Sequence, residues 1–374
     1  MTCRKEAAEI IEYIRKYEEG KIDQETLAIK LGDYLKKYGS PIIYKNKVVF
    51  AYVGFATKVS VIGDWNGWDP KSNPMERVGI TPVFYLVKEF PLNARLEYKL
   101  VVDNKRVLDP YNPLKSGACS ELRMPLYKPP EFLRSDIVEA YGIRGNLRDI
   151  SHAFEGRRVI IYTPPGYEYS RRKYPLLIVN EGIGYLNHVK LREMLDYAIL
   201  SGEIAPILAV LVDADKKEYV MNREYTEFLA YRVTPHVTSS YRVDHEDICI
   251  LGASLGGLAS LFSSLLYPDI FSLVISQSGV FLKKEEFRRL GIRVEEDIFD
   301  VLEKYAGPSL KVFLEWGIYE HVLGIDLAER NMEVFEKLKL EGFNVEKLKV
   351  NQGHNWINWR DSLLPALKHF FAPK

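Results

Sequence analysis

The chain has 374 residues, 47% of them hydrophobic and 27% charged, and its 51 basic side chains are balanced by 51 acidic ones. That length can bury a large core and exceeds one average domain, so two domains are expected. Zero formal charge, with no block of Lys and Arg, argues against nucleic acid or an anionic membrane surface as a partner.

Cys3, Cys119 and Cys249 form an odd set without metal-ligand spacing, which suits a reduced cytoplasm and excludes a disulfide scaffold. Met1-Thr2-Cys3-Arg4-Lys5-Glu6 opens a charged amphipathic segment, and no run nears ~18 apolar residues. A cytoplasmic protein without membrane contact is the expectation.

In residues 1–38, Ile10, Ile11, Ile14 and Tyr17, then Leu27, Leu31, Tyr34 and Leu35, recur at helical spacing with a break near Gly20. Two helices are predicted, and packing or homo-oligomer formation is their default role. From 39 to 127 the period changes to two. Residues 47–53, 58–62, 83–87 and 96–102 read as strands separated by Gly, Pro, Asn and Asp, which predicts a small antiparallel sandwich.

The turn Gly63-Asp64-Trp65-Asn66-Gly67-Trp68-Asp69-Pro70 carries two tryptophans in polar text. A flat ring face can stack on a sugar while polar neighbours bond its hydroxyls, and the same residues can equally fold back onto the core. This turn, with Tyr98-Lys99 and Asp109-Pro110-Tyr111-Asn112-Pro113, resembles the glycogen-binding-like (E-set, carbohydrate-binding module 48) domain. The resemblance implies a glucan site of two aromatic platforms and a lysine. Trp68 and Lys99 match one platform and the lysine, whereas the second platform falls near Arg106. A glycan is thereby a second candidate partner, and structural or lid duty is the alternative for Trp68.

Residues 128–150 turn irregular and are assigned as a linker. From 151 to 374, apolar runs at 158–163, 174–179, 208–212, 248–251, 273–276 and 311–314 alternate with helical stretches. This predicts an α/β fold, an α/β-hydrolase-type mainly parallel sheet with helices on both faces, preceded by the immunoglobulin-like sandwich and the short helical segment. Ligands of such sheets bind beyond the carboxyl ends of the strands.

Ile248-Cys249-Ile250-Leu251 runs into Gly252-Ala253-Ser254-Leu255-Gly256, a strand, sharp turn and helix in the G-x-S-x-G pattern. Ser254 is the candidate nucleophile, and the Leu255 N–H at the helix start is a candidate oxyanion donor. A serine hydroxyl needs a base and a carboxylate to orient it. His354, on a loop near the C-terminus and before a final helix, is the candidate base. Glu320 and Asp326 both follow the strand ending near Leu314, so either can be the acid, and a dyad without one stays open. In Val179-Asn180-Glu181-Gly182-Ile183-Gly184-Tyr185, Gly182 is the second oxyanion candidate. No His/Cys/carboxylate cluster shows metal spacing, and neither metal nor cofactor is called for.

Residues 158–371 resemble the enterochelin esterase (putative esterase D) family, on Gly252-Ala253-Ser254-Leu255-Gly256-Gly257-Leu258, Tyr267-Pro268-Asp269, Ser276-Gln277-Ser278-Gly279 and Gly353-His354-Asn355-Trp356. The resemblance implies ester hydrolysis through an acyl-enzyme on a small-molecule ester, with a siderophore-type ester first. It also implies that Arg223, in Asn222-Arg223-Glu224-Tyr225, is a substrate anchor, unless it is spent on a neighbouring carboxylate. Glu181 and Tyr185 stand where the family usually has aspartate and often has tryptophan, so Tyr185 is a candidate substrate contact. An ester on an acylated sugar is the rival substrate, and a glucan-binding scaffold without catalysis is the rival class.

Overall fold

The computed structural model describes residues 3–304 and 310–373. Met1 and Thr2 of the predicted helical segment, and residues 305–309 and Lys374 of the predicted hydrolase domain, lie outside the described residues. The chain divides into two compact units, one of Met1–Lys128 with Ile318–Ile325 and Asn351–Gly353, the other of the remaining segments from Pro129 onward.

In the first unit, helices Cys3–Glu18 and Gln24–Tyr38 precede the strands. Asp23 caps the second helix by accepting the Thr26 N–H at 2.7 Å, which satisfies one of the donors a helix start leaves open. Leu27, Leu31 and Leu35 share one face and bury against Ile42, Val49 and Ala51, so the helices build a common core with the first sheet. That sheet runs Ile42–Tyr44, Lys47–Val53, Val83–Glu89, Glu76–Arg77 in space, all antiparallel. A second antiparallel sheet centres on Arg95–Val102, between Val59–Gly63 and Cys119–Arg123. Val48, Phe50 and Phe84 of one sheet meet Val61, Leu96, Tyr98 and Leu100 of the other in a single core.

The second sheet buries one cation. Arg95, 1% exposed, donates to Glu121 at 2.8 Å and to Glu97 at 3.0 Å, and Glu121 also accepts from Arg123. Two carboxylates around one buried guanidinium offset the cost of taking it out of water.

The second unit is built on eight strands, of which the last residues of β7 (318–319) and β8 (351–353) count with the first unit, numbered here along the chain: β1 Asn146–Asp149, β2 Val159–Thr163, β3 Tyr174–Asn180, β4 Leu208–Val212, β5 Val243–Ala253, β6 Leu273–Gln277, β7 Lys311–Tyr319 and β8 Asn344–Gly353. Their order in space is β1-β2-β4-β3-β5-β6-β7-β8. β1 and β2 are antiparallel additions, and β4, β3, β5, β6 and β7 run parallel. Leu177, Val179, Leu251 and Ile275 pack with Met194, Leu195, Leu363 and Leu367 from the helices Leu191–Leu200 and Trp356–Phe371. The predicted linker differs at its end, because Asn146–Asp149 is paired. A four-residue edge strand with one half-buried apolar residue, Leu147, carries too little alternation to be read from sequence. Among the described residues no helix is long and apolar enough to cross a membrane.

Glu121→Gln should lower the stability of the first unit by about 3 kcal/mol, because it leaves Arg95 buried with one charged partner fewer. Denaturant unfolding followed by sandwich tryptophan fluorescence measures it. A shift under ~1 kcal/mol would show that Glu97 alone suffices.

Candidate active site

β5 ends at Ala253 and the helix Leu255–Leu266 begins two residues later, so one residue makes the whole reversal. Ser254 makes it at φ 57°, ψ −122°. This is a left-handed, strained position for a residue with a side chain, and it projects the hydroxyl from the end of the sheet. Gly252 is required for it, since a Cβ there would lie 2.2 Å from the Gly256 carbonyl oxygen. The Ser254 N–H donates to the Gln277 carbonyl at 2.9 Å, and its own carbonyl accepts from Val280 at 3.1 Å, tying the turn to the end of β6.

His354 Nε2 lies 2.9 Å from Ser254 Oγ, within the reach a general base needs. The imidazole packs edge-on against Trp359 at 5.1 Å, and the Trp359 indole N–H donates to Ser278 Oγ at 2.9 Å. Trp359 is therefore pinned and holds one side of the imidazole.

Beneath the turn lies a buried polar cluster. The Gln277 amide contacts Glu315 Oε2 at 3.1 Å, the Trp359 carbonyl at 3.0 Å and Ser362 Oγ at 3.1 Å. Its oxygen accepts from the Tyr185 hydroxyl at 3.0 Å. Tyr185 is thus a fully buried core residue rather than part of a substrate wall, and burial raises its phenol well above the usual range.

A cavity of about 440 Å³ opens over Ser254, Leu255 and His354. Trp356, Trp359 and Tyr219 give it aromatic walls, and Glu181, Asp213 and Lys216 give it charge. The Tyr219 hydroxyl accepts both the Glu181 and Ala214 N–H groups, at 3.1 and 3.0 Å, and the Ile183 N–H donates to Asp213 at 3.1 Å. Burial raises the Glu181 carboxyl above the usual carboxylate range, opposed by Lys216 and His354 and assisted by Asp213. A larger cavity, about 640 Å³, is lined by Lys284, Arg288, Arg293 and Glu295 among others. None of its lining residues is a serine, cysteine or histidine, so volume does not locate the chemistry here.

The other sequence candidates fall as follows. Leu255 lines the cavity at the first position of its helix, where the N–H has no acceptor one turn back. Gly182 opens the short helical turn Gly182–Gly184; it is buried with Leu211 so close that a Cβ would lie 2.5 Å away, and Glu181 and Gly184 beside it line the cavity. Arg223 is half exposed, ion-paired with Glu296 at 3.2 Å, and lines a different pocket with Arg293 and Glu295. Asp326 caps the helix Leu327–Leu340 by accepting the Glu329 N–H at 3.0 Å. Glu320 directly follows β7 and is fully buried. In the first unit, Trp65 stacks on Phe50 at 5.5 Å inside the sandwich core, and the half-buried Trp68 hydrogen-bonds Asp64 through its indole. Among the described residues no cluster could hold a metal ion.

Asp213, Lys216, Tyr219, Trp356 and Trp359 received no role from the sequence. A signal existed for Asp213, which stands one residue past β4, at the carboxyl edge where such sheets bind ligands.

A family model described as putative esterase matches residues 151–370, more than half of the chain. An iron(III) enterobactin esterase of Dickeya dadantii is 25% identical over 230 residues, 57% of this chain and 51% of the relative. That of Escherichia coli K12 is 24% identical over 59% of this chain and 54% of the relative. The chain spans about half the length of these curated relatives. Among solved structures, ferric enterobactin esterase from Salmonella typhimurium superposes with a TM-score of 0.67 at 20% identity, covering 86% of this chain and 92% of that one. A ferulic acid esterase superposes at 0.51 and 19% identity, covering 61% and 98%. At these identities the likeness shows the fold, an α/β-hydrolase sheet with an antiparallel β region before it.

Gln277→Met should destabilise the second unit by about 2–4 kcal/mol, because it removes the acceptor of the buried Tyr185 hydroxyl and the amide that bridges Glu315, Ser362 and the Trp359 carbonyl. Thermal and denaturant unfolding check this. A loss below ~1 kcal/mol would mean that the cluster re-pairs without its centre.

Proposed function

Because the chain belongs to the putative esterase family, we propose that it is a serine carboxylesterase working through an acyl-enzyme. The observation that carries this is the 2.9 Å approach of His354 Nε2 to Ser254 Oγ at a strained strand-to-helix turn. Ser254 Oγ attacks the ester carbonyl while its proton passes to His354 Nε2. The tetrahedral oxyanion is held by the Leu255 N–H and by the turn that begins at Gly182. Collapse expels the alcohol, which takes the proton from His354. Water then repeats the sequence on the acyl-enzyme and releases the acid.

Glu320 is proposed as the carboxylate that orients His354. It follows β7 directly, the place in the chain where an acid is expected between nucleophile and histidine, and it is buried. Asp326 gives one carboxylate oxygen to its helix cap.

Trp356, Trp359 and Tyr219 around the cavity suit an ester with an aromatic ring in its acid or alcohol part. Relatives named as enterobactin esterases agree with this class, and a siderophore-type catecholate ester is the first substrate to try. Arg223 belongs to another pocket, so anionic groups of a substrate are not assigned to it.

Ser254→Ala should abolish hydrolysis of p-nitrophenyl acetate with the fold intact, a loss of about 10⁴–10⁶ in kcat. A folded variant that keeps more than a few per cent of activity would move the nucleophile elsewhere. Glu320→Gln should lower kcat on the order of 10²-fold or more, because an amide cannot stabilise the imidazolium. Asp326→Ala should instead cost about 1 kcal/mol of stability through its lost cap and leave kcat nearly unchanged. The reverse ranking would transfer the role to Asp326, and two neutral results would describe a Ser254–His354 dyad.

A further inference from the structure

The cavity of about 640 Å³ shares none of its described lining residues with the one over Ser254, and its described wall belongs entirely to the second unit. Three cations, Lys284, Arg288 and Arg293, line it together with Ile292, Val294 and one carboxylate, Glu295. The local fold gathers them. Phe281 and Leu282 bury the chain after β6, and the helix Lys284–Arg289 follows, on which Lys284 and Arg288 stand four residues apart and share a face. Gly291, at φ 76°, then ends that helix in a reversal closed by two bonds. Its N–H donates to the Arg288 carbonyl at 3.0 Å, and the Ile292 N–H donates to the Phe287 carbonyl at 2.9 Å. Arg293 comes next and completes the wall.

Like charges gathered on one wall repel, so they need acids beside them or an anion among them. The nearby acids are engaged elsewhere. Glu286 pairs with Arg330 at 2.9 Å, Asp300 with Lys284 at 2.8 Å, and Glu296 with Arg223 at 3.2 Å and with Lys304. Asp297 accepts the backbone N–H groups of Lys284, Phe299 and Asp300 at 2.9, 2.9 and 3.1 Å. Glu285 lines neither this cavity nor its neighbour. Among the described residues, neither Arg288 nor Arg293 has an ion pair or a side-chain hydrogen bond. Both guanidiniums therefore keep their donors for a ligand.

We propose that this cavity binds a small organic anion, with its carboxylate or phosphate group held by Arg288 and Arg293. A guanidinium presents a planar fork of N–H donors that matches two oxygens of either group. The body of the ligand has a place as well. A second cavity, about 210 Å³, shares Arg293, Val294 and Glu295 with the first and adds Val220, Met221 and Phe262. Arg293 stands at the junction, so a ring attached to the anionic group has aliphatic and aromatic surface to cover there. Glu295 opposes the same ligand by like charge, and removing that charge strengthens binding. The site uses neither Ser254 nor His354 and stands independently of the ester chemistry.

The test titrates the full chain with phenyl phosphate and benzoate, and with benzyl alcohol as the neutral match, by calorimetry at fixed ionic strength. At least one of the anions should bind saturably, and benzyl alcohol at least about 10-fold more weakly. Arg288→Gln and Arg293→Gln should each weaken anion binding about 10-fold. Both arginines are exposed, so the variants should fold, which circular dichroism checks. Arg289→Gln removes an exposed arginine of the same helix that lines neither cavity, and it should change the affinity less than about twofold. Glu295→Gln should tighten binding by about 3-fold or more. Whichever anion binds more tightly identifies the head group. Failure of both anions to bind saturably overturns the proposal. So does a loss in Arg289→Gln equal to that in the lining variants, and so does an affinity that Arg288→Gln and Arg293→Gln leave unchanged, since the anion then sits elsewhere, as in the cavity over Ser254.

Discussion

Ser254 is held at a φ of 57°, and the second unit is arranged so that it has no other choice. A side chain in that region costs on the order of 1–3 kcal/mol and persists only where the surroundings over-determine it. Here the backbone is fastened on both sides, by the Ser254 N–H to Gln277 and by the Val280 N–H to the Ser254 carbonyl, while the following helix draws the Gly257 and Leu258 N–H groups onto the same oxygen. The parallel pairing of β5 with β6 runs through Ala253 and Gln277, so the sheet register itself delivers these partners. A slip of one residue would turn every side chain of β5 to the wrong face. The placement of Ser254 and the sheet register are one constraint.

The same constraint explains why so polar a cluster lies under an apolar fold. Gln277 must end β6 with its carbonyl toward Ser254, which leaves its amide pointing into the interior. Glu315 stands opposite it in the register of β7, and Tyr185, Ser362 and the Trp359 carbonyl complete its contacts. In a low-dielectric interior such a network is strong when filled and costly when broken, so it holds the ends of β6, β7 and the last helix in one geometry. Trp359 links it to the site, since its carbonyl belongs to the network and its ring packs against His354.

Buried strands were legible because both faces are covered and their text is continuously apolar: β3, β4, β5 and β6 lie where such runs occur. The edge strand β1 was not, since only Leu147 of its four residues is even half buried. Ser254 and His354 stand out in the sequence because their neighbours are unusual, glycines in one case and a short loop before a helix in the other, and the fold brings their side chains to 2.9 Å. Tyr185 was misplaced because an aromatic residue three positions past a candidate oxyanion glycine points into the core or the cavity according to helical phase, and here a turn of helix carries it inward to Gln277. For Arg223 the sequence left a substrate anchor and an ion pair both open, and the structure pairs it with Glu296, which lies far along the chain. Trp68 has a partner only four residues away, but nothing in the string marks Asp64 as buried.

The proposal of Glu320 over Asp326 brings a local rule to bear where a positional rule leaves two residues open. Both residues follow β7, and distance along the chain does not separate them. Yet Asp326-Leu327-Ala328-Glu329 is a cap sequence, an aspartate three residues before a glutamate at the start of an amphipathic stretch. Capping claims a carboxylate oxygen for a backbone N–H at the helix start, as Asp326 does for Glu329. That duty occupies one of the two Asp326 oxygens and weighs toward Glu320 in the proposed reading. Glu320 stands outside any helix, directly at the end of β7 and away from water. A buried position of that kind suits the fixed carboxylate that the proposed role of Glu320 requires.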